Sequence, residues 1–149
     1  AASSGAARAL AAAVERCRAL IARELAPPGA GEVVVLGALL KRVRLPAEMG
    51  PQQVNPGHDP YVSHADQANV AAYQYSGLLY LSTAGVDFGG GELVFHDSDA
   101  DRDVAPVAGR LVAFTSGLEN LHRATPVEWG CRYVLGMWFG HAPRRPASD

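Results

Sequence analysis

From residue 70 onward the chain is cut into short apolar stretches, at 70–82, 91–96, 104–107, 110–115 and 131–139, parted by turn-forming segments such as VDFGGGE and APVAGR. Stretches of that length, punctuated by glycine, proline and aspartate, read as strands. One long helix precedes them. Leu10, Val14, Cys17, Ile21 and Leu25 recur at spacings of three and four, while Arg8, Glu15, Arg16, Arg18, Arg23 and Glu24 fall mostly elsewhere around the wheel, which makes the segment amphipathic. APPGAG ends it, because proline denies the helix a donor and glycine supplies the turn, and the β-branched run EVVVLGALLKRVRL then reads as the first strand. The expected class is mainly β, a sandwich or barrel with the helix packed on its outside. A chain of 149 residues, 48% hydrophobic, suits one domain. Residues 1–29 form a helical support, 30–140 the β core, and 141–149 (HAPRRPASD) a frayed tail; there is no internal repeat.

A formal charge of −2, with both signs scattered along the chain, offers no footprint for a nucleic-acid backbone. No apolar run approaches the roughly 20 residues needed to span a bilayer, and the alanine-rich start lacks the flank of a signal peptide. The domain itself is expected to make no membrane contact, although a longer protein containing it can be anchored. Cys17 and Cys131 are far apart and read as buried, reduced thiols, which leaves the compartment open.

PYVSHADQAN reads as a strand, and residues two apart on a strand share a face, so His64 and Asp66 project together. Two ligands hold a divalent ion weakly. A third is offered by His122, just after a predicted strand in TSGLENLHRATPVEWGCRYVLGMWF. Two imidazoles and one carboxylate on a β scaffold are the parts of a facial triad, which leaves metal positions open for chemistry. No cysteine pairing closes the set into a structural zinc site. Alternation along the last strand places Arg132, Val134, Gly136 and Trp138 on one face, and Tyr133, Leu135, Met137 and Phe139 on the other. An inward arginine calls for an anion, and its planar fork suits a carboxylate. Of the remaining candidates, HDSDADRD lacks the glycine and glutamate of a calcium loop and reads as a solvated hairpin, and His96 reads as a surface residue. Tyr73 and Tyr75 read as packing residues, Glu119 and Asn120 as groups orienting His122, and His58 and Tyr61 as substrate contacts near the mouth.

The ordered set H-x-D, LLYLS, GGGELVF, VAPVAGRLVAFTSG, LHRATPV and GCRYVLGMWF, over residues 51–140, resembles the prolyl 4-hydroxylase-like branch of the 2-oxoglutarate and iron(II)-dependent dioxygenases. FTSGLENLHR is most similar to the subgroup of 2-oxoglutarate and iron-dependent oxygenase domain-containing proteins. The resemblance implies a double-stranded β-helix, a distorted jelly roll, with iron(II) held by His64, Asp66 and His122. It also implies that Arg132 grips the distal carboxylate of 2-oxoglutarate, that Tyr80 assists it and that Trp138 lines the pocket. The implied reaction couples decarboxylation of 2-oxoglutarate to succinate with hydroxylation by dioxygen, with ascorbate as an accessory, on a peptidyl residue such as proline. The same chemistry on a free amino acid or small metabolite is the alternative, and a non-catalytic jelly-roll binding module is the rival from another class. Asp66 favours hydroxylation, since halogenating relatives carry a small residue there. By resemblance the protein leans toward the endoplasmic reticulum or secretory pathway. Three positions depart from related enzymes: Arg132 replaces a lysine, Leu93 a threonine, and Val54 a tyrosine at the mouth. They bear on what enters the pocket.

Overall fold

The computed structural model describes residues 2–45 and 59–143. Along the chain run α1 (Ala2–Glu24), β1 (Val33–Val43), the one-turn helix α2 (Asp66–Asn69), β2 (Tyr75–Tyr80), β3 (Phe88–Gly90), β4 (Leu93–Phe95), β5 (Arg102–Val104), β6 (Leu111–Thr115), a 3-10 turn (Leu118–Asn120), β7 (His122–Ala124), β8 (Val127–Gly130) and β9 (Arg132–His141). These strands pair antiparallel with one another. The larger sheet has the order β1-β9-β2-β6, and its partner the order β5-β4-β7, with β3-β8 as a separate pair. An isolated bridge between His64 and His122 adds one more rung beside β7.

Alternation gives the larger sheet two different faces. On the outer one, Leu135, Met137 and Phe139 of β9 pack with Tyr75, Val33 and the apolar stripe of α1, where Cys17 and Ile21 are buried. Ile21 lies against the Gly77 backbone, and a methyl group there would meet its Cδ1 at 3.3 Å. On the inner face, Phe114 and Leu78 meet Leu93 and Phe95 of the smaller sheet. Phe95 and Phe114 cross edge to face at 5.1 Å. The chamber between the sheets is lined by the other half of each alternation: Ser76, Leu78 and Tyr80 from β2, and Arg132, Val134, Gly136 and Trp138 from β9.

Several local expectations change. Residues 60–69 are not a strand: after His64 the chain turns into α2 at Asp66, whose carbonyl accepts the Val70 N–H at 3.2 Å. Bringing His64 and Asp66 together is therefore the work of a bend and not of strand alternation. The stretch VDFGGGE, read as a turn, contains β3, because Phe88 pairs with Gly130 where both flanking backbones can come close. The short β7 and β8 were not distinguished from turns by sequence. β5 ends at Val104, short of the predicted stretch 104–107. β9 reaches His141, and the Ala142 N–H donates to Glu32 O at 2.9 Å. Both cysteines are free thiols, Cys17 buried and Cys131 half-buried. Among the described residues no helix is long and apolar enough to cross a membrane.

Candidate metal centre

His64, Asp66 and His122 meet at the inner edge of the smaller sheet, with one potential ligand atom from each within 4.8 Å of the others. His64 Nε2 lies 3.4 Å and His122 Nε2 3.9 Å from the same oxygen, Asp66 Oδ1. Ligands about 2.1 Å from a shared ion and at right angles to one another lie about 3 Å apart. All three pairs must draw in from these distances for an ion to seat, and the donor set, two imidazoles and one carboxylate, fits a divalent iron.

Each ligand is aimed by a second contact. His64 Nδ1–H donates to Val62 O at 2.8 Å, and His122 Nδ1–H to Asn120 O at 2.8 Å, which turns both Nε2 lone pairs inward. Asp66 has its other oxygen fully engaged. Oδ2 accepts Ser76 Oγ–H at 2.6 Å and Trp138 Nε1–H at 3.0 Å, leaving Oδ1 toward the imidazoles. With the Ser76 proton committed to Asp66, Ser116 Oγ donates in turn to Ser76 Oγ at 2.8 Å. Burial alone would push the Asp66 carboxyl upward, but the nearby His64, hydrogen bonds from Ser76 and Trp138 and the field of His122 outweigh it and hold the group well below the usual carboxylate range. The Asp66 carboxylate beside it raises His64 above its ordinary value, against the opposing effect of burial.

Deeper in the chamber lies Arg132, 6% exposed, with its Nε unpartnered among the described residues. Gly91 makes room for it. At a φ of 73° this residue occupies a conformation natural to glycine, and a Cβ would stand 3.0 Å from Arg132 Cδ. The Tyr80 ring lies 5.5 Å from the guanidinium carbon, and its buried hydroxyl has no hydrogen-bond partner among the described residues. Burial raises the Tyr80 phenol, and Arg132 partly offsets that. A buried cation and a buried hydroxyl, both with unmet donors, form a cradle for an anionic oxygen.

The remaining sequence candidates divide. Tyr61 is half-buried and feels Arg132, whereas His58 and Val54 lie outside the described residues. Asn120 orients His122 through its backbone carbonyl, while its side chain donates to Thr115 O at 3.0 Å. Glu119 bonds the Thr115 hydroxyl instead, pointing away from the ligands. Tyr73 stacks on Trp138 at 5.5 Å. His96 is no loose surface group: Ser63 Oγ lies 2.7 Å from its Nε2, and its Nδ1–H donates to Asp101 Oδ1 at 2.9 Å, tying the loop before His64 to the β4–β5 hairpin. Sequence reasoning missed Ser76, an ordinary strand serine in QYSGLLYLS, and Lys41, whose inward direction depends on strand register.

A family model described as the 2OG-Fe(II) oxygenase superfamily matches residues 50–140. 2-oxoglutarate and iron-dependent oxygenase domain-containing protein 3 of Xenopus tropicalis is 42% identical over 104 residues, 69% of this chain and 33% of that protein. Prolyl 3-hydroxylase 3 of Homo sapiens is 47% identical over 78 residues, 50% of this chain and 10% of that protein. The chain thus spans a third or less of the length of these relatives. Among solved structures, a Pseudomonas putida prolyl-4-hydroxylase superposes with a TM-score of 0.60 at 27% identity, covering 88% of this chain and 64% of that one. The two facing sheets are accordingly a double-stranded β-helix. Since the matched stretch takes in all three converging side chains, the chain belongs to the 2OG-Fe(II) oxygenase superfamily.

Proposed function

We propose that this domain is an iron(II)- and 2-oxoglutarate-dependent hydroxylase acting on a residue within a peptide, with proline as the first choice, dioxygen as second cosubstrate and ascorbate as an accessory reductant. One observation carries the reading: the His64, Asp66 and His122 cluster shares a chamber with a buried guanidinium whose Nε has no partner among the described residues. Burying an arginine without an anion costs several kcal/mol, on the order of the penalty for an uncompensated ion, so the chamber is built to receive a carboxylate. The prolyl hydroxylase names of two relatives support a peptide substrate. A place in the secretory pathway belongs to the same proposal.

The two Nε2 atoms and Asp66 Oδ1 would hold iron, and the Ser76 and Trp138 donors keep the second Asp66 oxygen engaged. Arg132 would receive the distal carboxylate of 2-oxoglutarate and Tyr80 O–H would donate to it, so that both buried donors would be satisfied. Leu78, Phe114 and Phe95 form an apolar wall that keeps bulk water from the reacting centre. When bound, iron and 2-oxoglutarate supply the oxidising chemistry that ends in succinate and carbon dioxide.

The test is succinate formation from purified domain, iron(II) and 2-oxoglutarate. It should require iron and vanish in His64→Ala, Asp66→Ala and His122→Ala; persistence of iron-dependent turnover in all three sinks the site. Arg132→Ala should raise the KM for 2-oxoglutarate at least tenfold while leaving iron affinity within a factor of two, read by metal titration.

A further inference from the structure

Arg132 is not the only cation facing the chamber. Lys41 pairs with Val134 in the β1–β9 ladder, and paired residues of antiparallel strands share a face, so Lys41 lies on the same wall as Arg132, Val134 and Trp138. This direction is set by a bulge. The register shifts by one between Val35 and Gly37, and from Gly37 onward the odd-numbered residues of β1 turn inward. Lys41 Nζ stands over the Trp138 ring, 5.8 Å from its centroid, and that indole donates to Asp66. The ammonium is therefore one side chain away from the metal-binding carboxylate. Among the described residues no carboxylate pairs with it. Burial lowers its pKa, the nearby Arg132 adds to that, and only Asp66 opposes.

We propose that Lys41 is a second carboxylate-binding cation of this pocket, acting beside Arg132. This rests on the hydroxylase reading of the site and deepens it. The indole face stabilises the ammonium only in part, since such contacts contribute about 0.5–2 kcal/mol, whereas an oxygen anion would satisfy it directly. Two sources of carboxylate would suit this position. One is the end of 2-oxoglutarate nearer the metal. The other is an acidic group on the substrate. Charge balance makes the second source necessary to test: iron(II) with Asp66 and Arg132 together carry two net positive charges, and a single diacid offsets both, so Lys41 is left over. An acidic residue beside the hydroxylated one would neutralise it.

The experiment uses binding, without turnover, on the Mn(II)-loaded domain under anaerobic conditions. In one arm 2-oxoglutarate is titrated; in the other, at saturating 2-oxoglutarate, the labelled peptides acetyl-Gly-Pro-Glu-amide and acetyl-Gly-Pro-Gln-amide are followed by fluorescence anisotropy. Lys41→Met should weaken 2-oxoglutarate at least tenfold if the cosubstrate is the source, or abolish at least a fivefold Glu-over-Gln preference if the substrate is. Lys41→Arg should restore whichever is lost, which a merely structural role would not give. Unchanged 2-oxoglutarate affinity in Lys41→Met, together with a Glu/Gln ratio that does not differ from wild type, overturns the inference, including the case where neither peptide is retained. The hydroxylase reading is separable: Lys41-dependent carboxylate binding without any iron-dependent succinate formation would sink that reading and leave this one standing.

Discussion

Ser76 is a small residue with a large share in the geometry of the centre. Its hydroxyl reaches the one Asp66 oxygen that does not face the imidazoles, and Ser116 fixes the hydroxyl in turn. Groups of this kind, one step removed from a metal, alter affinity by about 10–100-fold when lost. Ser76→Ala is therefore expected to weaken Mn(II) binding within that range, measured by calorimetric titration, while the far-ultraviolet dichroism stays that of the folded chain. An unchanged affinity would mean that Trp138 alone suffices to orient the carboxylate. The three ligands themselves were legible in the sequence because their residue types are rare and chemically committed. Their supports were not, since a strand serine and a backbone carbonyl carry no mark of what they will face.

At the scale of elements, α1 owes its place to one stripe. Ile21 is 1% exposed and belongs to the core with Leu135, Met137 and Phe139, whereas its neighbour Leu20 is 40% exposed. Ile21→Ala should cost about 2–5 kcal/mol, and Leu20→Ala about 0.5 kcal/mol or less; urea unfolding midpoints at constant slope would read both. Equal losses would mean that the helix docks through a different face. The helix and the long strands could be read from periodicity, which is a local property. β3, β7 and β8 could not, because segments of three or four residues become strands only through partners that lie far along the chain, as Phe88 does with Gly130. His64 and Asp66 illustrate a subtler failure: alternation placed them together correctly for a reason that does not hold, since α2 begins at Asp66.

For the whole molecule, the centre joins segments that are otherwise held by different contacts: the bend before α2 and the start of β7. A ligand that binds only the folded state stabilises it by about 2.7 kcal/mol at a hundredfold excess over its Kd, or about 5–10 °C for a chain of this size. Mn(II) is expected to raise the melting temperature by that amount in the wild-type chain and to leave His122→Ala unmoved. Stabilisation of both alike would indicate a site elsewhere. The supernumerary residue in β1 has a wider consequence. Were the bulge ironed out with Leu36 kept in the ladder opposite Trp138, Arg42 would fall opposite Arg132 and Lys41 would swing out to solvent. One residue of slack at the rim thus decides whether an amine or a guanidine faces the barrel interior, with no metal ligand touched.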